Sequence, residues 1–125
     1  MKRVTVLIAI AFLLSAGLWV AAAQDNNAPI VAQSTVQKLE MKASRFQFTP
    51  NTLRVKAGVP VQLTIVSTDG IHGLAIPALN INERLEQGKE VVVNFTPAKA
   101  GRYPFRCSVL CGAGHLDMKG ELIVE

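Results

Sequence analysis

The sequence predicts an all-β fold, a small antiparallel sandwich, from about residue 37 to the C-terminus. Short runs rich in β-branched and aromatic residues follow one another there, separated by turn residues at close intervals. Within several runs the polar and apolar side chains alternate with a period of two, which is typical of strands buried on one face. After residue 36 no stretch has the length and pattern of a helix. Such a domain buries a modest core, so a bound metal ion would add noticeably to its stability.

The first half of this region contains the predicted central strand. Its run extends from residue 59 to residue 67 and places Val61, Leu63 and Ile65 on one face. Pro60 stands near its start, where a missing N–H group is tolerated. Shorter alternating runs precede it at residues 38–42, 46–48 and 52–56, with turns at 49–51 and 57–58.

The second half contains four further predicted strands. Asp69 and Gly70 form a turn after the central strand, and Pro97 and Gly101 interrupt the chain again. The strands are residues 74–76, 89–95, 102–107 and 120–124.

The N-terminal segment predicts export from the cytoplasm. Lys2 and Arg3 give it a positive start, residues 4–23 carry no charge, and small residues at 21–23 precede a polar stretch. A signal peptide cleaved after Ala23 has this pattern. An apolar run of about 20 residues also spans a bilayer as one helix, so a retained membrane anchor is the alternative. Both place the C-terminal domain in the periplasm or on the extracytoplasmic face of the cytoplasmic membrane, because the positive end stays inside.

Three segments follow from this pattern: residues 1–23 as signal peptide or anchor, 24–36 as a flexible polar linker, and 37–125 as the folded domain.

The chain has 13 basic and 9 acidic residues, a formal charge of +4. Without Lys2 and Arg3 the balance is 11 against 9, or +2. Because no run of a single sign appears, nucleic-acid binding is not supported.

The chemically informative residues lie in one loop between the last two predicted strands. Cys107, Cys111, His115 and Met118 fall within twelve positions, and two glycines among them give the backbone freedom to fold tightly. Thiolate, thioether and imidazole suit copper, whereas Ca²⁺ and Mg²⁺ prefer carboxylate oxygens. A mononuclear blue-copper site uses one cysteine. The second cysteine therefore favours two thiolates that bridge two copper ions.

His72 is the only other histidine of the sequence. It stands just after the central strand, in a turn with Asp69 and Gly70 that can approach the loop. Taken alone, such a histidine is more often a surface or core residue than a metal ligand. With His115 already in the loop, His72 is the predicted partner ligand.

These residues closely resemble the CuA domain of cytochrome c oxidase subunit II. The family motif is Cys-x3-Cys-x3-His-x2-Met with an upstream histidine, and all five positions are present. The surroundings are similar as well: Phe-Gln-Phe-Thr-Pro-Asn at 46–51, His-Gly-Leu-Ala-Ile-Pro at 72–77 and Gly-Arg-Tyr at 101–103. The resemblance covers residue 40 to the end and is strongest to compact bacterial forms with a single N-terminal helix. It implies a cupredoxin-like Greek-key β-sandwich.

The resemblance also implies a role for each ligand. The two cysteines would bridge both ions of a mixed-valence copper pair, the CuA centre. His72 with Met118 as a weak axial ligand would complete one copper, and His115 with the backbone carbonyl of Val109 would complete the other. Many family members carry an acidic residue at the position of Val109 that also binds magnesium, which valine cannot do. The only tryptophan is Trp19, so the folded domain lacks the tryptophan through which longer relatives take up electrons.

The implied function is electron transfer, with no catalysis by this chain alone. An electron shared between two thiolate-bridged coppers changes the charge of each ion little, which keeps reorganisation small. The chain would serve as subunit II of a terminal oxidase or as a related periplasmic carrier. Implied partners are an electron donor such as cytochrome c or a small copper protein, the catalytic subunit I of an oxidase, and assembly factors that deliver copper and reduce thiols.

Four other functions fit parts of the pattern. Two cysteines in an exported domain favour a disulfide, but a Cys107–Cys111 bridge closes too short a loop to stabilise the fold much. Two cysteines and two histidines suit tetrahedral zinc, which leaves Met118 unexplained. A mononuclear copper-binding or copper-delivery protein is the main alternative, and delivery needs exchangeable ligands. Hydrolysis by Cys111 and His115 lacks an orienting residue beyond Asp117.

Overall fold

The computed structural model describes residues 35–125, which form two packed β-sheets. The predicted signal peptide or anchor at 1–23 and all of the linker before residue 35 lie outside the described residues. The nine strands of this part are β1 (Gln37–Ser44), β2 (Gln47–Thr49), β3 (Thr52–Val55), β4 (Val61–Ser67), β5 (His72–Ile76), β6 (Ile81–Leu85), β7 (Glu90–Phe95), β8 (Gly101–Arg106) and β9 (Lys119–Val124).

The two sheets have the strand orders β2-β1-β4-β7 and β3-β9-β8-β5-β6. Most neighbouring strands are antiparallel, as the sequence predicts, but β1 and β4 pair in parallel, and so do β3 and β9. The expectation of a wholly antiparallel sandwich is therefore wrong. Parallel pairing needs a connection that crosses over, and β3 supplies one by lying in the opposite sheet between β1 and β4 in the chain.

Strand β6 is the one strand of the described residues that the sequence pattern missed. Its burial pattern leaves Asn82, Glu83 and Arg84 exposed in succession, so the alternation that marks a half-buried strand is absent. It forms because its backbone pairs with β5 along the edge of the second sheet.

The helices of residues 35–125 are two single 3₁₀ turns, Pro77–Leu79 and His115–Asp117. Within that range no helix has the length and apolar character needed to cross a membrane.

The core lies between the sheets and receives side chains from both. Strand β4 alternates strictly between buried and half-buried residues, and the predicted inward side chains Val61, Leu63 and Ile65 are at most 1% exposed. Phe48 of β2 and Phe105 of β8 meet edge to face with ring centroids 5.3 Å apart, which ties one sheet to the other. This packing makes β8 a fixed support for the loop that follows it.

Candidate metal centre

The predicted metal loop connects β8 to β9 and is closed at its base by a backbone hydrogen bond. The N–H of Cys107 donates to the carbonyl of Met118 at 2.9 Å, directly beyond the paired residues Arg106 and Lys119. Cys107 and Met118 are both buried, at 1% and 0% exposure. The β8–β9 ladder therefore delivers one thiol and the thioether to the same interior position.

Short-range hydrogen bonds hold the rest of the loop. His115 N–H donates to Gly112 O at 3.1 Å, Asp117 N–H to Gly114 O at 3.0 Å, and Met118 N–H to His115 O at 3.2 Å. These bonds form the 3₁₀ turn that carries His115. The imidazole is thus held by a folded backbone.

The two loop glycines are required by Phe46. Gly112 has φ +139°, and a Cβ atom added there would lie 2.9 Å from the Phe46 ring. A Cβ on Gly114 would lie 2.3 Å from the same ring. Backbone freedom, which the sequence suggested, accounts for Gly112, whereas Gly114 is needed for space.

The two thiols face each other across the loop. The Sγ atoms of Cys107 and Cys111 lie 3.7 Å apart, and both cysteines are free. The Cys107 thiol also lies 3.1 Å from the carbonyl oxygen of Val109. The structure therefore brings together both predicted bridging sulfurs and the predicted carbonyl ligand.

The remaining loop ligands surround Cys111. Its Sγ atom is 3.6 Å from Nδ1 of His115 and 3.9 Å from Sδ of Met118. A single sulfur thus has an imidazole nitrogen and a thioether as neighbours. This arrangement matches the sequence motif residue by residue.

His72 joins the site from a different element than the sequence indicated. It is the first residue of β5, not part of the preceding turn, and its side chain is fully buried. One of its ring nitrogens and the Sγ atoms of Cys107 and Cys111 all lie within 4.8 Å of one another. Strand β5 pairs with β8, and this neighbourhood brings the distant histidine to the loop.

Asp69 fixes the orientation of the His72 ring. Nε2 of His72 lies 2.8 Å from the backbone oxygen of Asp69 and 2.8 Å from its Oδ1 atom. Both are acceptors, so Nε2 carries the proton and Nδ1 keeps its lone pair. Nδ1 is buried and has no hydrogen-bond partner among the described residues. A buried nitrogen without a partner beside two thiols is what a metal ligand requires.

Gly73 permits the close approach of the loop to His72. A Cβ atom at this position would lie 2.2 Å from Oγ of Ser108 and 3.1 Å from Cγ2 of Val109. The backbones of β5 and the loop are therefore nearly in contact. The site is compact because a residue without a side chain separates them.

Burial and the neighbouring Cys107 both raise the pKa of the Cys111 thiol. Burial raises the pKa of Cys111 to about 11, and the hydrogen bond and charge of Cys107 act in the same direction. The Asp69 carboxyl behaves oppositely: the hydrogen bonds from His72 and from the Arg45 N–H lower its pKa. The metal-free site thus keeps Cys111 protonated at neutral pH, and a metal ion must displace that proton.

Several functional residues escaped the sequence analysis. Asp69 was assigned only to a turn, although an aspartate three residues before a histidine is a signal for such a contact. Leu110 and Leu116 are large apolar side chains of the same loop, and they are 82% and 84% exposed.

Comparison with known proteins points to one family. The family model described as cupredoxin-like domain matches residues 6–124. Cytochrome c oxidase subunit 2 of Thermus thermophilus is 34% identical over 83 residues, which make up 66% of this chain and 62% of that protein. The chain therefore spans less than two thirds of this relative.

Two solved structures have similar folds. A chain in the cryo-EM structure of a heme-copper terminal oxidase dimer superposes with a TM-score of 0.65 at 27% identity, covering 71% of this chain and 65% of that one. The apo form of a copper binding protein solved by NMR has a TM-score of 0.60 at 26% identity, with coverages of 72% and 88%. These similarities confirm the cupredoxin-like β-sandwich and the resemblance to oxidase subunit II.

Replacing Gly114 by alanine should destabilise the metal-free protein by about 1–3 kcal/mol, because the new methyl group overlaps the Phe46 ring. Thermal unfolding under reducing conditions measures this change. Ala113→Ser, at the exposed neighbouring position, is the control and should leave the unfolding temperature unchanged. Equal stability of Gly114→Ala and the control would contradict the close packing of Phe46.

Replacing Asp69 by alanine should weaken copper binding by about ten- to a hundredfold, because His72 loses the carboxylate that orients it. Asp69→Asn keeps a neutral hydrogen-bond acceptor, so its copper affinity should fall less than that of Asp69→Ala. Competition with a copper chelator measures the affinity, and Glu83→Ala on exposed β6 is the matched control. An unchanged affinity in Asp69→Ala would show that the backbone oxygen alone holds the ring.

Alkylation of Cys111 in the reduced, metal-free protein should be slow at neutral pH. A pKa of about 11 leaves roughly one thiolate in 10⁴ molecules at pH 7. The labelling rate should therefore keep rising with pH above 9.0, which is the ordinary pKa of a cysteine thiol. Iodoacetamide labelling followed by mass spectrometry gives the profile. In Cys107→Ser the neighbouring thiol is gone, so the profile should move to lower pH. A rate that levels off near pH 9 in the unaltered protein would rule out the raised pKa.

Proposed function

Because the chain belongs to the cupredoxin-like domain family, we propose that its domain 37–125 binds a dinuclear copper centre of the CuA type and transfers electrons. The observation that carries the proposal is the pair of free thiols 3.7 Å apart, with imidazole, thioether and carbonyl donors around them. Soft sulfur together with imidazole suits copper better than a hard cation.

Six residues would hold the centre. Cys107 and Cys111 would supply thiolates. The unpartnered Nδ1 atom of His72 would supply an imidazole ligand, and Met118 would supply a thioether. His115, the fifth side chain, and the backbone carbonyl of Val109 would supply the remaining donors.

A bound copper pair would supply one-electron redox chemistry. The chain contributes rigidity, since the base of the loop is pinned to β8 and β9 and His72 is held by Asp69. Burial of Cys107, His72 and Met118 keeps water away from the donors. Donors that neither move nor gain water when the charge changes keep the reorganisation energy low.

The second thiol favours a dinuclear centre over a mononuclear copper site. A mononuclear cupredoxin site needs one thiolate, whereas both thiols here point to the same space.

Copper delivery, the alternative function, is supported by the similarity to a copper binding protein. Delivery requires ligands that exchange readily. Three buried side chains, His72, Cys107 and Met118, argue against rapid release.

The physiological setting that we propose is the electron-entry subunit of a terminal oxidase, with a periplasmic carrier as the alternative. The similarity to Thermus thermophilus subunit 2 supports the first. In that role the domain faces the outside of the cytoplasmic membrane, and the segment 1–23 is its signal peptide or anchor. An oxidase catalytic subunit, an electron donor, and factors that reduce the thiols and load copper are then the partners. Val109 offers no carboxylate, so a magnesium link to the catalytic subunit would need another residue.

The apolar surface of Leu110 and Leu116 is the proposed docking site for the electron donor. Both side chains stand in solvent on the loop that carries the ligands. An apolar contact at this point brings a donor's redox group close to the thiolates without displacing any ligand. Weak, transient redox complexes typically have small interfaces of this kind.

Reconstitution of the reduced full-length chain with copper should yield two copper ions per chain and a seven-line hyperfine pattern in electron paramagnetic resonance. The pattern has seven lines because one unpaired electron couples equally to two copper nuclei. Cys111→Ser should retain at most one copper with a four-line pattern, because one thiolate cannot support the shared pair. Ala113→Ser is the loop control and should behave like the parent. One copper with four lines in the parent protein would move the assignment to a mononuclear site.

A further inference from the structure

Two positive side chains flank the base of the metal loop. Arg106 immediately precedes Cys107, and Lys119 immediately follows Met118. They are directly opposite each other in the β8–β9 register. Both are exposed, whereas the adjacent Cys107 and Met118 are buried, so the alternation of the strands turns the two cations to the outer face of the sheet.

No carboxylate of residues 35–125 forms an ion pair with Arg106 or Lys119. Glu121, one step along the same outer face of β9, is bound to Arg102 at 2.8 Å. Like charges directly opposite on paired strands destabilise a sheet. The fold thus maintains a repulsive pair that a negative group from outside would relieve.

Arg106 and Lys119 line a small apolar cavity. Its volume is about 200 Å³, and its lining consists of Pro77, Pro104, Phe105, Arg106, Lys119 and Gly120. Pockets for small-molecule ligands are usually larger, from about 300 Å³ upward. The cavity therefore fits a single side chain better than a metabolite. Its apolar walls exclude water from one side of an ion pair, which strengthens the attraction between the charges.

The charges around the metal loop are mainly positive. Arg45 is exposed, and its guanidinium lies against Gly70, in the turn that precedes His72. Asp117 is the one carboxylate of the loop, and Asp69 is hydrogen-bonded to His72. A partner that docks on this end of the domain thus meets more positive than negative groups.

We propose that this end of the domain docks an acidic electron-transfer protein, one of whose carboxylates enters the cavity between Arg106 and Lys119. The inference rests on the proposed electron-transfer function. The exposed Leu110 and Leu116 of the loop provide the apolar contact, and the cation pair at the base of that loop provides the charge that selects and orients the partner. Because Arg106 is bonded to Cys107, a partner held here lies next to the thiolates.

The test compares Arg106→Gln/Lys119→Gln with Lys38→Gln/Lys56→Gln in the full-length, copper-loaded chain. The second pair removes the same charge from exposed lysines at the opposite end of the sandwich, where β1 begins and β3 ends. Arg106→Lys/Lys119→Arg exchanges the two cations and keeps the charge. The probes are an acidic c-type cytochrome and a basic one. Titration calorimetry gives Kd, and stopped-flow absorption gives the electron-transfer rate over a range of salt concentrations.

We expect the acidic cytochrome to bind more tightly than the basic one and its rate to fall with added salt. Arg106→Gln/Lys119→Gln should weaken that binding and slow the transfer about tenfold and reduce the salt dependence. The exchanged variant and the distal control should behave like the parent. These results together would support the proposal.

Preference for the basic cytochrome, or equal loss in the distal control, would overturn the docking proposal. So would binding of the parent protein to anionic lipid vesicles without binding to the acidic cytochrome. Copper content and paramagnetic resonance are recorded for each variant. Failure to form a redox-active centre refutes the proposed function, whereas Kd measured by calorimetry still decides the docking proposal.

Discussion

The backbone hydrogen bond between Cys107 and Met118 sets the geometry on which the candidate metal centre depends. It extends the β8–β9 ladder beyond its last paired residues, so the two ends of the loop are held at the spacing of adjacent strands. Both side chains continue the inward-facing rows of their strands and are buried, and the Sγ atom of Cys111 lies 3.7 Å from the sulfur of Cys107 and 3.9 Å from that of Met118. The convergence of thiol and thioether thus follows from strand pairing, and it needs no attraction between the sulfur atoms.

A second constraint is the closeness of three separate chain segments around this loop. Gly73 allows β5 to approach the loop backbone, and Gly114 leaves space for the ring of Phe46, which lies in the turn between β1 and β2. Asp69 then orients His72 so that its free nitrogen faces the thiols. A side chain added at either glycine would displace backbone or ring atoms. A site limited by backbone contacts in this way changes little when a ligand's charge changes, as electron transfer requires.

In the proposed function, different side chains of the loop would hold the metal and contact the partner. His72, Cys107 and Met118 point into the protein and are buried, whereas Leu110 and Leu116 point into solvent. An electron, unlike a substrate, needs no opening through which to enter. The ligands can therefore be shielded while the outer surface of the same loop remains free for contact. The positive strand ends beside the loop add a charge preference to that surface without altering the donors.

The sequence by itself predicted the donor set. Four of the five predicted side-chain ligands lie within one loop, and their residue types and spacing already favour copper, so His72 needed only to be within reach. Strands whose apolar and polar residues alternate regularly, such as β4, were also predictable, because this alternation is visible within the strand's own sequence. The tertiary structure alone decided which strands are parallel, that β6 exists, and that Asp69 holds His72. Those features depend on partners far apart in the chain, and residue order does not specify pairing between distant segments.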